Sequence, residues 1–239
     1  MILYDPTNGD VVTTPTECRP RTCFFMSKVG DSAPPVVQEV RGRLSSLLAE
    51  IGYSLIDATD ITTGKDFLRK IWDLIVSVPI GIAFIYRKMP PSTLANVFYE
   101  VGMMQALGKD TLVIREPRAV IPSDLVRTEY VTYYGRFDER IRNFLTTCLS
   151  SAEFLATVAE QMERNPLLAI DYYRRAFLLT GDEEYCLRTD ELLKSGEIGK
   201  RAKNSVEYLA AGFSRFAHEA GHGKAMRQTA VTKLPPNMR

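Results

Sequence analysis

The stretch from Ile80 to Arg115, IGIAFIYRKMPPSTLANVFYEVGMMQALGKDTLVIR, limits what this chain can become more than any other part of it. Ile80–Tyr86 is almost wholly apolar, as a strand covered by helices on both faces must be. Pro90 and Pro91 stop that strand, and Ser92 stands where a helix N-cap is expected. The helix that follows sets Val97, Val101 and Met104 on one side, and Gly108 closes it. Lys109 then offers a cation to the carbonyl end of the same helix. Thr111–Ile114 is the next buried run. One residue disturbs this apolar unit. Glu100 has Asn96 one turn before it, Tyr99 beside it, and apolar Val97, Met103 and Met104 at helical neighbour spacing.

The same alternation extends in both directions. Thr22–Ser27 and Tyr53–Ile56 read as short buried strands, and Tyr130–Tyr134 as a fifth. Between them, Val36–Glu50 and the run after Gly64 carry helical periodicity. Strands alternating with helices of this length predict a parallel sheet with right-handed crossovers. Five of them fit the flavodoxin-like order 2-1-3-4-5, whose crevice lies at the carboxyl ends of strands 1 and 3. Those ends carry Met26–Gly30 and Tyr86–Ser92, and the helix bearing Asn96 and Glu100 leaves from the second. Topology alone therefore sets Glu100 on an element bordering the ligand crevice.

The residues also resemble a known group. Asn96-Val97-Phe98-Tyr99-Glu100-Val101-Gly102, with Ala106, Gly108 and Lys109, is similar to the active-site run of the nucleoside 2-deoxyribosyltransferase-like and TIR-like nucleotide-processing families. CFFMSKVGD resembles their first strand and its phosphate- or ribose-contacting loop. Ile121-Pro122-Ser123-Asp124-Leu125 resembles their segment before the last strand, so the likeness covers about residues 21–145. It implies that Glu100 is the carboxylate of N-glycosidic bond cleavage. It further implies that Met26, Ser27, Lys28, Asp60, Tyr86, Asn96 and Tyr99 contact the substrate. That substrate would be a nucleoside, a nucleotide or NAD, and no metal or resident cofactor is implied. TIR-like relatives often serve in bacterial antiviral defence. The chain departs from the pattern at Val78-Pro79-Ile80-Gly81, where many members start the strand with a carboxylate. Asp57, Asp60 or Asp73 could substitute, and spacing does not choose among them. That departure keeps a non-catalytic nucleotide sensor as the alternative function.

Residues 1–20 read as an irregular leader, 21–150 as the α/β domain, 151–222 as a helical region and 223–239 as a mobile tail. Helices are expected over Ala152–Glu163, Pro166–Thr180, Glu183–Lys194 and Lys200–Ala220. Ala169-Ile170-x-x-Tyr173-x-x-Ala176-Phe177-x-Leu179 resembles the second helix of a tetratricopeptide repeat, which implies a surface for interaction or self-association into a homo-oligomer.

Composition narrows the classes further. In 239 residues, 45% hydrophobic and 25% charged, there is enough apolar surface for a packed core. A net charge of +1 gives no overall attraction to nucleic acid or to an anionic membrane. The longest apolar region, Ile71–Tyr86, contains Asp73 and Pro79 and fits a helix and a strand better than a membrane span. Four scattered cysteines without metal-ligand spacing, and a first segment unlike a signal peptide, point to a cytoplasmic setting. His218-Glu219-Ala220-Gly221-His222 matches the H-E-x-x-H zinc pattern. Gly221 inside the motif and the want of a third downstream ligand make it a fortuitous surface match.

Overall fold

The computed structural model describes residues 9, 17–30, 32–60, 67–121 and 130–194. The H-E-x-x-H pentapeptide, the helix expected over Lys200–Ala220, the tail and the Pro122–Leu125 segment lie outside the described residues, as does nearly all of the leader. Five strands, β1 (Thr22–Met26), β2 (Ser54–Ile56), β3 (Ile80–Ile85), β4 (Asp110–Arg115) and β5 (Tyr130–Thr132), form one sheet in the order β2-β1-β3-β4-β5. Every pairing is parallel, with Met26 opposite Ala83 and Ile85 opposite Arg115. This is the flavodoxin-like sheet that the alternation predicts.

Helices α1 (Pro35–Glu50) and α4 (Phe137–Gln161) cover one face of the sheet, and α2 (Phe67–Ser77) and α3 (Pro91–Ala106) the other. The period of two within the strands sorts the core accordingly. Phe25, Ile82, Phe84 and Ile114 pack with α1 and α4, whereas Phe24, Met26, Ala83, Ile85 and Val113 pack with α2 and α3. Gly81 is the exception that fits one layer to the next. A Cβ there would come within 2.7 Å of Met26 Cε and 3.0 Å of Met104 Cε, so the bare backbone lets two methionines meet across β3.

Three local expectations change. Ser92 is not the cap of α3: the cap lies two residues earlier, with Pro90 at the N-cap and Pro91 at N1, because the fixed φ of proline already suits a first helical turn. Gly108, at φ 67, does close α3, with the Lys109 N–H donating to Met104 O and the Gly108 N–H to Gln105 O, a Schellman pair. The Lys109 ammonium, however, turns to a different helix and donates to the carbonyls of Val76 and Val78 at the end of α2. Finally, the expected break near residue 150 is absent. α4 runs unbroken for 25 residues, since nothing between Leu149 and Ala152 interrupts its periodicity.

α5 (Pro166–Thr180) returns antiparallel along α4 and is followed by α6 (Glu184–Lys194). Asn165 caps α5 through its side chain, and Gly181 in the left-handed conformation ends it. Of the tetratricopeptide-like residues, Ala169, Ile170, Tyr173, Ala176 and Leu179 are buried and Phe177 is partly buried. Leu179 joins the α1–α4 core, and Tyr53 donates its hydroxyl to the Leu179 carbonyl. The helical hairpin is thus packed on the sheet rather than standing apart. No described helix is long and apolar enough to cross a membrane.

Candidate active site

The crevice is built where β1 and β3 end side by side. β1 stops at Met26, whose side chain is buried in the α2–α3 core, so its backbone alone is left for a ligand. The next residue, Ser27, donates its hydroxyl to the Phe84 carbonyl at 2.9 Å and ties the first loop to the end of β3. Lys28 follows, half-buried. Past the end of β3, Tyr86 is 6% exposed, and burial pushes its phenol up from the ordinary value. Its carbonyl accepts from the Met89 N–H at 3.1 Å, which turns the chain toward α3. Glu116, just beyond β4, fixes this second loop by accepting from the Arg87 N–H at 2.7 Å.

α3 then runs back down the sheet. Glu100 lies nine residues after Pro91, roughly 13 Å along the axis at about 1.5 Å per residue. Met104, one turn further, reaches Gly81 at the start of β3, so Glu100 stands beside the middle of that strand. Helical side chains lean toward the N-terminus, which brings the carboxylate up toward the crevice. Val97, Val101 and Met104 beside it are all buried. Burial alone pushes the carboxyl up to about 7, and among the described residues no cation and no hydrogen-bond donor offsets it. The sequence leaves the sign of that shift open, between apolar neighbours and the helix start. Burial decides it, because the helix-start field fades within the first turn.

Asn96 is exposed one turn before Glu100 on the same flank of α3. Tyr99 is 50% exposed and lies about 100° further round the helix, facing away from the core. Asp60 has a different surrounding. Both of its oxygens receive Arg41 Nη2, and one also accepts the Asp57 N–H at 2.7 Å. Asp57, 3% exposed, is held by Arg41 Nε at 2.7 Å and by the Thr59 N–H and hydroxyl. The loop after β2 is therefore a carboxylate pair clamped on one guanidinium, with little capacity left on Asp60 for a sugar hydroxyl. Asp73 lies on α2 in an ion pair with Arg69 at 3.1 Å, away from the strand ends.

The structure sets Ser27 and Lys28 just past the end of β1 and Tyr86 just past the end of β3, where the Tyr86 side chain packs into the α1–α4 core. Asn96 and Glu100 lie on α3, across the sheet from that core, and no contact among the described residues joins them to the first loop. Two residues were missed by sequence reasoning. Glu116 could have been found by extending the rule for the carboxyl ends of strands to β4. Arg41 carried no such signal, because an arginine among Val37, Val40 and Leu44 reads as an ordinary helix-flank cation.

No described protein family and no curated protein matches the chain. Among solved structures it is similar to the CMP N-glycosidase BcmB of Clostridium botulinum, at 17% identity and a TM-score of 0.38. That match spans 52% of this chain and 98% of the other.

Proposed function

We propose that the chain cleaves, or transfers across, the N-glycosidic bond of a nucleotide, with Glu100 as the reacting carboxylate. This is the chemistry implied by the resemblance to nucleoside 2-deoxyribosyltransferase-like and TIR-like sequences. One observation carries it: a half-buried carboxyl, with no ion pair among the described residues, on the helix that leaves the crevice loop. A structural glutamate in that place would be expected to carry a cation, as Asp57 and Asp60 carry Arg41. An unpaired one with a pKa of about 7 resembles a group held for chemistry.

Departure of the base leaves an oxocarbenium-like sugar. The ionised Glu100 either adds to the anomeric carbon or stabilises the cation electrostatically, and water or an acceptor base completes the reaction. Asn96, one turn away, holds a sugar hydroxyl or orients the carboxylate. Ser27, already donating to Phe84, keeps its lone pairs for a ribose hydroxyl. Lys28 on the first loop and Arg87 and Lys88 on the second give the mouth a cationic rim, which favours a phosphorylated substrate, NAD included, over a bare nucleoside. Incubating the full chain with nucleosides, nucleotides and NAD, and measuring released free base, tests the reading. Release from phosphorylated substrates supports it, and absence of release from every substrate removes it.

In the same reading, residues 151–222 serve self-association, and the whole acts in the cytoplasm, by analogy with relatives in antiviral defence. Phe154 on α4 and Leu187 on α6, 67% and 52% exposed, are the apolar side chains that such an interface would cover. Sedimentation of a Phe154→Glu/Leu187→Glu variant at lower mass than the parent would support it. Equal masses would exclude it.

A further inference from the structure

A second cavity lies at the opposite edge of the sheet, between the starts of β3 and β4 and the α4–α5 hairpin, with a volume of about 210 Å³. Its apolar lining comes from Pro79, Leu155 and Leu178, and its polar lining from Lys109, Asp110, Ser151 and Arg175. The polar side has spare donors. Lys109 donates to the carbonyls of Val76 and Val78, and in the ammonium form that a bound anion would favour it keeps a third N–H without an acceptor among the described residues. Arg175 pairs with Asp171 at 3.1 Å and stands over the Tyr172 ring. Its guanidinium comes up against Gly108, where an added Cβ would come within 2.9 Å of Nη1. Among the described residues most of its five donors have no acceptor. Ser151 spends its proton on the Cys148 carbonyl at 2.6 Å and presents lone pairs.

We infer that this cavity is a binding site for a small carboxylate with a short branched apolar body. The carboxylate would take the free N–H groups of Lys109 and Arg175, and its body would fill the space against Pro79, Leu155 and Leu178. A volume of about 210 Å³ lies below the ~300 Å³ at which sites for drug-sized ligands begin, which limits the ligand to a small acid or amino acid. Ligand charge also relieves a local strain. Burial and the neighbouring guanidiniums of Arg174 and Arg175 press the Lys109 amine well below its usual pKa, and an incoming anion opposes both effects. Asp110, at the rim, adds an acceptor suited to an ammonium beside the carboxylate, as in an apolar amino acid.

The site does not involve Glu100, so it stands or falls separately from the proposed reaction. Isothermal titration of the full chain with isovalerate, leucine and inorganic phosphate tests it. The expected result is saturable binding of isovalerate or leucine. Binding should weaken at least tenfold in Ser151→Leu, which fills the cavity, and in Arg175→Gln, which removes the charge, and stay unchanged in Glu100→Gln. Leucine over isovalerate would assign Asp110 an ammonium. Binding of phosphate alone, no saturable binding, or binding indifferent to both cavity variants in folded protein would overturn the inference.

Discussion

The hydroxyl of Ser27 donates to the carbonyl of Phe84 at 2.9 Å, joining the loop after β1 to the last turnless residues of β3 across the mouth of the crevice. β1 ends at Met26, opposite Ala83, so the ladder has nothing further to offer Phe84 from that side. Ser27→Ala should therefore lower stability by about 1 kcal/mol, the net worth of a part-buried hydrogen bond. Urea unfolding measures it. An unchanged midpoint would mean that the loop is held by other contacts.

Glu100 should cost the fold stability at neutral pH. Its carboxyl titrates at about 7 in the folded chain against an ordinary 4.5, so the folded state holds its proton more tightly. The sign follows from linkage: stability is full below about pH 4.5, falls as pH rises toward 7, and is flat above. Glu100→Gln should remove that slope and stabilise the protein at pH 8 by roughly 1–3 kcal/mol, at about 1.4 kcal/mol per pKa unit with a discount for partial exposure. Parallel melting curves at pH 5 and pH 8 check it, the larger gain appearing at pH 8.

The same titration should mark the reaction. If the ionised carboxylate faces a developing sugar cation, kcat/KM should rise with pH through about 7 and then level. A rate that falls through that range would instead make Glu100 a proton donor to the leaving base.

Gly81 should resist enlargement. Gly81→Val sets its side chain against Met26 and Met104 at distances no real contact allows, and the flexible methionine ends can give only in part. A loss of roughly 1–3 kcal/mol is expected from overpacking.

The hairpin is expected to be part of the folding unit. Arg174 of α5, 5% exposed, donates to the Val76 carbonyl at 3.0 Å, and the Leu178 carbonyl accepts from the Arg21 N–H at 2.8 Å. A chain ending at residue 150 would lose the Arg174 and Arg21 bonds, leaving Lys109 as the side-chain donor to Val76, and would uncover the core around Cys148. It should unfold at lower temperature and less cooperatively than the whole. An equal melting temperature would restore the boundary that the sequence suggests.

How far the sequence could be read depended on whether a pattern is local. Strand order, the two faces of the core and the closure of α3 by Gly108 follow from periodicity and turn chemistry within single elements. The turning of Lys109 to α2 does not, because its partners, Val76 and Val78, are distant in sequence and expose carbonyls only once both helices are packed. Nor does the mixed aromatic and basic run Asp171-Tyr172-Tyr173-Arg174-Arg175 announce that Asp171, Tyr173 and Arg174 are buried where α5 docks. At the site, Glu100 stood out because a carboxylate among apolar neighbours breaks an otherwise clean helix pattern. The commitment of Asp60 to Arg41 was invisible, being a tertiary pairing with no fixed spacing.

The central claim, that Glu100 performs glycosidic cleavage, is tested most directly by free-base release from nucleotides and NAD, compared between the parent chain and Glu100→Gln. The amide keeps the shape and removes the charge, so turnover should fall at least ~10²-fold while substrate binding changes little. Near-parental turnover in Glu100→Gln would contradict the account. So would a parent chain that binds nucleotide tightly and releases no base, which would leave a sensor in place of an enzyme.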